Sequence, residues 1–119
     1  INPLLVTGQM DGGSVHMIGQ GLYEESLYNE KGQALTSSLR DYKLPTAMDI
    51  PKLTNYHVIT HDPSGPFGAK GAGETSTTAM MAAIRNAIED AVDIRITDPP
   101  FASEKILKAL KENKEGNSL

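Results

Sequence analysis

The residues best able to do chemistry in this sequence are a glutamate and the glycines that lead up to it. Gly68-Ala69-Lys70-Gly71-Ala72-Gly73-Glu74 follows Asp62-Pro63-Ser64-Gly65-Pro66-Phe67 and runs into a helical pattern. Unpaired backbone N–H groups in such a loop, with the dipole of the helix it enters, favour an anion or a flat polar ligand. It is not a phosphate-binding P-loop, because Lys70 is followed by Gly71 rather than by Ser or Thr. Nor is it a dinucleotide fingerprint: Gly71 and Gly73 are correctly spaced, but Ser76 occupies the third glycine position. Residue physics leaves Glu74 two readings. It is a carboxylate favoured by the helix dipole, worth about 0.3–1 kcal/mol, or a general base held by stiff backbone against a bound group.

Other chemistries are excluded by composition. There is no cysteine, hence no disulfide, thiolate nucleophile, iron–sulfur ligation or cysteine zinc site in this chain. His16, His57 and His61 lack HxxxH or HExxH spacing. They read as a packed or hydrogen-bonded helix residue, a structural or solvated residue, and a loop residue without a role. A formal net charge of -4 with dispersed Lys and Arg argues against a nucleic-acid surface. No apolar run approaches the roughly 20 residues that span a bilayer, so no membrane partner is expected. The chain starts at Ile1 without a leader pattern. We read that start as a cut or processed end inside a longer protein, and the expected compartment is the cytoplasm.

The elements that must position Glu74 follow from periodicity. Residues 1–6 form an apolar run expected to be a strand or extended connection. Residues 8–28 read as a helix loaded with Gly8, Gly12, Gly13, Gly19 and Gly21; interior glycines are tolerated where backbone must come close to something. Asn29-Glu30-Lys31-Gly32 is a turn around which residues 26–28 and 33–35 can pair. Residues 40–46 look extended before Pro45, 55–60 form the best strand pattern, and 94–96 a short strand. A helix is predicted over residues 76–91, capped by Thr75 or Ser76, with Met80, Ala83, Ile84, Ala87, Ile88 and Ala91 inward. Ser103 should cap a last helix with Ile106, Leu107 and Leu110 inward, the Lys105, Lys108 and Lys111 stripe solvated, and a frayed tail over 113–119. The expected fold class is therefore mixed α/β (α+β): a short, partly antiparallel sheet with about three helices.

Three segments in register carry a resemblance. Gly68 to Glu74 looks like the G-A-K-G-x-G-E signature of xanthine dehydrogenase and aldehyde oxidase large subunits. Gly8-Gln9-Met10-Asp11-Gly12-Gly13 is similar to that family's G-Q-x-x-G-G segment. Asp41-Tyr42-Lys43-Leu44-Pro45-Thr46-Ala47-Met48-Asp49-Ile50-Pro51 resembles its D-Y-K-[IL]-P-T-A-x-D-[IVL]-P block. Nearly the whole chain is covered, so residues 1–112 are identified as the C-terminal portion of a molybdenum-cofactor-binding domain.

The resemblance implies a molybdenum hydroxylase that oxidises an aldehyde or N-heteroaromatic substrate with water as oxygen source. It makes Glu74 the base to a molybdenum-bound hydroxyl. Gln9 becomes a hydrogen-bonding partner of the cofactor, and Ala69, Lys70, Gly71, Ala72 and Gly73 the backbone lining the pterin. Gly12 and Gly13 then allow close cofactor approach, with tight helix packing an equal alternative for both. The protein makes no direct bond to the metal. The cofactor is molybdenum–molybdopterin, as a mononucleotide or a cytosine dinucleotide. Partners are the remainder of the molybdenum subunit and the 2Fe-2S and FAD subunits or domains. The chain alone is expected to be inactive, to hold no molybdenum tightly and to self-associate through exposed apolar surface. Competing readings are a noncatalytic structural or assembly module that keeps the cofactor-binding shape, and a free-standing anion-binding domain.

Overall fold

A computed structural model describes residues 1–116. It contains three α-helices, α1 (Pro3–Leu22), α2 (Met80–Val92) and α3 (Ser103–Gly116), and a 3-10 turn at Pro66–Gly68. Among the described residues there is no strand or sheet; one isolated antiparallel bridge joins Tyr28 and Ala34. The mixed α/β expectation is thereby corrected. The bridge sits where the short hairpin was expected, with the Leu35 N–H donating to the Leu27 carbonyl at 2.8 Å. The pattern over residues 55–60 forms no ladder, and Tyr56, Val58 and Ile59 are 82–93% exposed. The reason is physical: strand propensity expresses packing against neighbours, and residues 55–60 are held to their surroundings by side chains, Asn55 to Asp11 and His57 to Thr7, with no backbone ladder. Residues 94–96 are likewise irregular.

Helix α1 begins earlier than expected and absorbs the 1–6 run. Asn2 is the N-cap, its Oδ1 accepting from the Leu5 N–H at 3.2 Å, and Pro3 fills the first helical position. The helix ends at Leu22 rather than continuing to Tyr28; the Tyr23 and Glu24 N–H groups both donate to the Gly19 carbonyl. Five glycines within one helix make it a weak helix in isolation, so α1 depends on what packs against it.

Its main neighbour is α2. A Cβ at Gly21 would stand 3.1 Å from Ile84 Cδ1 and 3.6 Å from Met81 Sδ, so the missing side chain sets the approach of the two helices. Helix α2 starts at Met80, after four further residues in turns, with Ala79 at the cap position and no side-chain cap. Its packed stripe is the expected one in part: Met80, Ile84 and Ile88 are half-buried, but Met81, Arg85 and Val92 join them while Ala83, Ala87 and Ala91 are exposed. Arg85 lies on the covered side because Nε donates to the Ile96 carbonyl and Nη2 pairs with Glu89 at 2.9 Å.

The buried hydrophobic residues are Ile18, Ile94 and Phe101. A 2.6 Å bond from the Phe101 N–H to the Gly21 carbonyl fixes the segment before α3 onto the end of α1. The cap position of α3 falls on Ala102, whose carbonyl accepts from Ile106 N–H, one residue before the expected Ser103. Leu107 is exposed and Lys105 half-buried, paired with Glu25 at 3.4 Å, so the expected faces shift here too. Helix α3 continues through the 113–116 part of the expected tail, and residues 117–119 lie outside the described residues.

Candidate functional site

The loop before Glu74 is held by its own hydrogen bonds. Asp62 Oδ1 accepts from the Ser64 N–H at 2.9 Å and the Ser64 hydroxyl at 2.8 Å. The Asp62 N–H donates to the Gly68 carbonyl at 3.1 Å, and Gly65, Gly68 and Ala69 each donate back within the turn. The two Ser64 donors hold the Asp62 carboxyl below its ordinary value, with the nearby Lys70 charge adding to them. Lys70 also donates from Nζ to Thr60 Oγ1. Gly68 is obligatory: its φ is 75°, and a Cβ there would collide with the His61 ring. His61, read from its position as a loop residue without a role, is the wall against which the loop turns.

Beyond that closed turn the backbone stands open. Added Cβ atoms at Gly71 and Gly73 would meet nothing within 4 Å, and neither residue has a positive φ. Neither conformation nor packing among the described residues requires glycine at these positions. A cavity of about 680 Å³ lies beside this run, lined by Ala69, Lys70, Gly71 and Ala72 and, across from them, by Val6 and Met10 of α1. Gly73, Glu74 and Gln9 do not line it. Gly12 borders a separate depression of about 370 Å³ beside His16, Glu24 and Pro45.

Glu74 is exposed, and no described residue hydrogen-bonds its carboxylate. Its main chain is well tied: the carbonyl accepts from the Thr77 N–H at 3.1 Å, Thr77 Oγ1 at 2.8 Å and Thr78 Oγ1 at 3.4 Å. Gln9 is exposed on α1, and Gly13 follows one turn later on the same face. That face meets the segment just after Glu74. Ser76 Oγ lies 3.5 Å from the Gln9 carbonyl, and a Cβ at Gly13 would collide with it. The structure therefore brings the first and last motifs together through Ser76, a residue the sequence offered only as a possible cap.

The middle motif is joined to the far end of α1. Tyr42 donates its hydroxyl to Glu24 Oε2 at 2.7 Å, which raises the phenol above its ordinary range. A Cβ at Gly19 would press on Glu24 and stand 3.0 Å from Pro45 Cδ. Asp49 caps its own turn, accepting from the Thr46 N–H and hydroxyl, each at 2.7 Å. Among the described residues no three His, Asp or Glu side chains gather into a metal-binding group. His16 pairs with Gln20 at 2.7 Å along α1, and His57 Nε2 lies 3.2 Å from Thr7 Oγ1.

The site thus consists of a glycine-bearing helix, a loop open at Gly71 and Gly73, and an exposed carboxylate after it, and known proteins place the chain in a family. The molybdopterin cofactor-binding domain family matches residues 1–51. The gamma subunit of the 6-hydroxypseudooxynicotine dehydrogenase complex of Paenarthrobacter nicotinovorans is 48% identical over 95 residues, 77% of this chain and 12% of that one. The probable hypoxanthine oxidase of Escherichia coli strain K12 is 39% identical over 113 residues, 94% of this chain and 12% of that one. In three dimensions, quinoline 2-oxidoreductase from Pseudomonas putida 86 matches with a TM-score of 0.87 at 36% identity, covering 94% of this chain and 15% of that one. The chain belongs to the molybdenum hydroxylase family, as part of its molybdopterin-binding subunit, and spans about 12% of the length of the two curated relatives.

Proposed function

We propose that this chain contributes the general base and part of the cofactor cradle to a molybdenum hydroxylase acting on an aldehyde or an N-heteroaromatic compound. The observation that carries this reading is the open backbone of residues 69–73, bare of side chains and of neighbours at Gly71 and Gly73, ending in an exposed carboxylate. Such a surface fits a flat, anionic group approached by N–H donors. When bound, molybdenum–molybdopterin supplies the two-electron acceptor, with water as the source of the transferred oxygen.

The chain's own residues do the rest. Glu74 takes the proton from the oxygen nucleophile as it attacks the electron-poor carbon. Base catalysis of this kind contributes about 10²–10⁴-fold when the carboxylate is fixed within hydrogen-bond reach. The Gln9 amide serves both as donor and acceptor to the polar edge of the cofactor. Ala69, Lys70, Gly71, Ala72 and Gly73 line the pterin with main chain. In the balance a carbon–hydrogen bond is replaced by a carbon–oxygen bond and two electrons leave the substrate. They pass to 2Fe-2S and FAD groups on partner subunits or domains; the pterin is a mononucleotide or cytosine dinucleotide.

Glu74→Gln in the full-length enzyme tests the assignment. Turnover should fall by about 10²-fold or more, with molybdenum content per subunit unchanged. Near-normal turnover overturns the base role.

A further inference from the structure

We infer that Gly13 and Ser76 form a positioning contact that sets where Glu74 stands relative to the Gln9 face of α1. This inference rests on the reading of Glu74 as the base. The resemblance offers Gly13 as a cofactor-lining glycine, but its geometry points elsewhere. Of Gly12 and Gly13, adjacent in the same helix, only Gly13 has a neighbour where a Cβ would go. That Cβ would overlap Ser76 Oγ, and stand 3.3 Å from Ser76 Cβ and 3.4 Å from Thr77 Cγ2. The side of Gly13 that carries no side chain is thus already filled by the segment after Glu74.

The placement has consequences for both motifs. In an α-helix the Gln9 carbonyl pairs with the Gly13 N–H. The gap at Gly13 lets Ser76 reach that same carbonyl from outside, at 3.5 Å. That distance is long for an O–H···O bond, so packing rather than hydrogen-bond strength holds the contact. Ser76 is two residues from Glu74, and the Glu74 carbonyl is tied forward to Thr77 and Thr78. The short path from α1 through Ser76 and Thr77 to the Glu74 main chain leaves little slack. A side chain inserted at Gly13 displaces the Ser76 hydroxyl from the Gln9 carbonyl and presses on Ser76 Cβ and Thr77 Cγ2, and so on the turn that carries the carboxylate.

The test is a pair of substitutions in the full-length, cofactor-loaded enzyme. Gly13→Ala turns the Ser76 hydroxyl off its present position and presses on Ser76 Cβ and Thr77 Cγ2, and misplacement approaching about 1 Å at a catalytic group costs up to about 10²-fold in rate. We expect kcat to fall at least about tenfold, with KM and molybdenum content per subunit close to wild type. Amide hydrogen exchange over residues 74–79 should rise in the same variant. Ser76→Ala alone loses the Oγ contact with α1 and should lower kcat by a smaller factor than Gly13→Ala does. Combined with Gly13→Ala it removes the colliding oxygen, leaves a Cβ contact that yields by a few tenths of an ångström, and should restore both rate and exchange protection to the level of Ser76→Ala. Three outcomes overturn the inference: Gly13→Ala at full rate, a double variant no better than Gly13→Ala, or a loss that follows molybdenum content. Glu74→Gln separates this from the base role. Normal turnover there removes the base whatever the Gly13 variants do, and full activity of Gly13→Ala removes the positioning contact whatever Glu74→Gln does.

Discussion

Single carboxylates in this chain are tuned by the hydroxyls beside them, and Asp49 shows how the tuning is read. The Thr46 hydroxyl and then the Thr46 N–H donate to Asp49 Oδ2, holding its carboxyl below the ordinary value of 3.8, and the Tyr23 side chain adds to them. A depressed carboxylate stabilises the fold fully above the unfolded value, and that contribution is lost as pH falls through the folded value. Thr46→Val removes the hydroxyl donor and keeps the N–H. The Asp49 titration, followed by carboxyl NMR, should therefore move up toward the ordinary value, and the acid-labile part of the stability should shrink, with its onset still set by the unfolded value. An unmoved titration would mean that the hydroxyl is not a partner in solution. The same chemistry explains which site residues could be read from sequence. Glu74 and Gln9 stand out as candidates through the glycines around them. Ser76 and Thr77 do not, because a hydroxyl near a helix start reads as a cap whether it caps or bonds back to a carbonyl. His61 was opaque for another reason: its partner is the missing side chain of Gly68, which no pattern of residue types displays.

Helices were legible where amphipathic spacing and a stop signal coincide, as in α2 and α3, though their packed faces match the expected ones only in part. Spacing gives a periodicity but not which flank a neighbour covers, and Arg85 and Lys105 are drawn inward by partners far along the chain. The sheet was not legible because it is not a property of a strand alone: residues 55–60 have the composition of a strand and no ladder. The start of α1 was legible and overlooked, since Asn2-Pro3 is a cap followed by the residue best suited to a first helical position, beside an apolar run that reads as extended. Its weight can be measured. Asn2→Ala leaves the Leu5 N–H without its 3.2 Å acceptor and should destabilise the chain by about 1 kcal/mol, read by urea unfolding followed through helical circular dichroism. Asn2→Asp, which keeps the acceptor and adds a charge suited to the dipole, should match or exceed wild type. Equal midpoints for Asn2→Ala and wild type would remove the cap from the account.

The whole molecule is open. Its Cα radius of gyration is 18.6 Å, against about 13–14 Å for a compact domain of this length. Among the described residues only Ile18, Ile94 and Phe101 are buried hydrophobics, while Leu4, Met48, Tyr56, Val58, Ile59 and Phe67 lie 79–95% exposed. The segment after Glu74 reaches α1 through Ser76 at Gln9 and Gly13 without help from a large core. What the open shape leaves exposed is a run of β-branched and aromatic residues over 55–60 whose backbone is unpaired, which is the arrangement that invites edge-to-edge association. The isolated 119-residue chain should therefore self-associate as concentration rises, with dye binding to its apolar surface. Sedimentation velocity across a concentration series reads the first and a fluorescent hydrophobic probe the second. Charge blunts an exposed strand edge, so Val58→Lys with Ile59→Lys should return the chain to a monomer while leaving its helical signal intact. A wild-type chain that stays monomeric throughout the series shows that this edge is not the attachment surface. If the wild type associates and the double variant does so equally, the contact lies on another exposed face, and the apolar N-terminal turn at Leu4 and Leu5 becomes the place to put the charge.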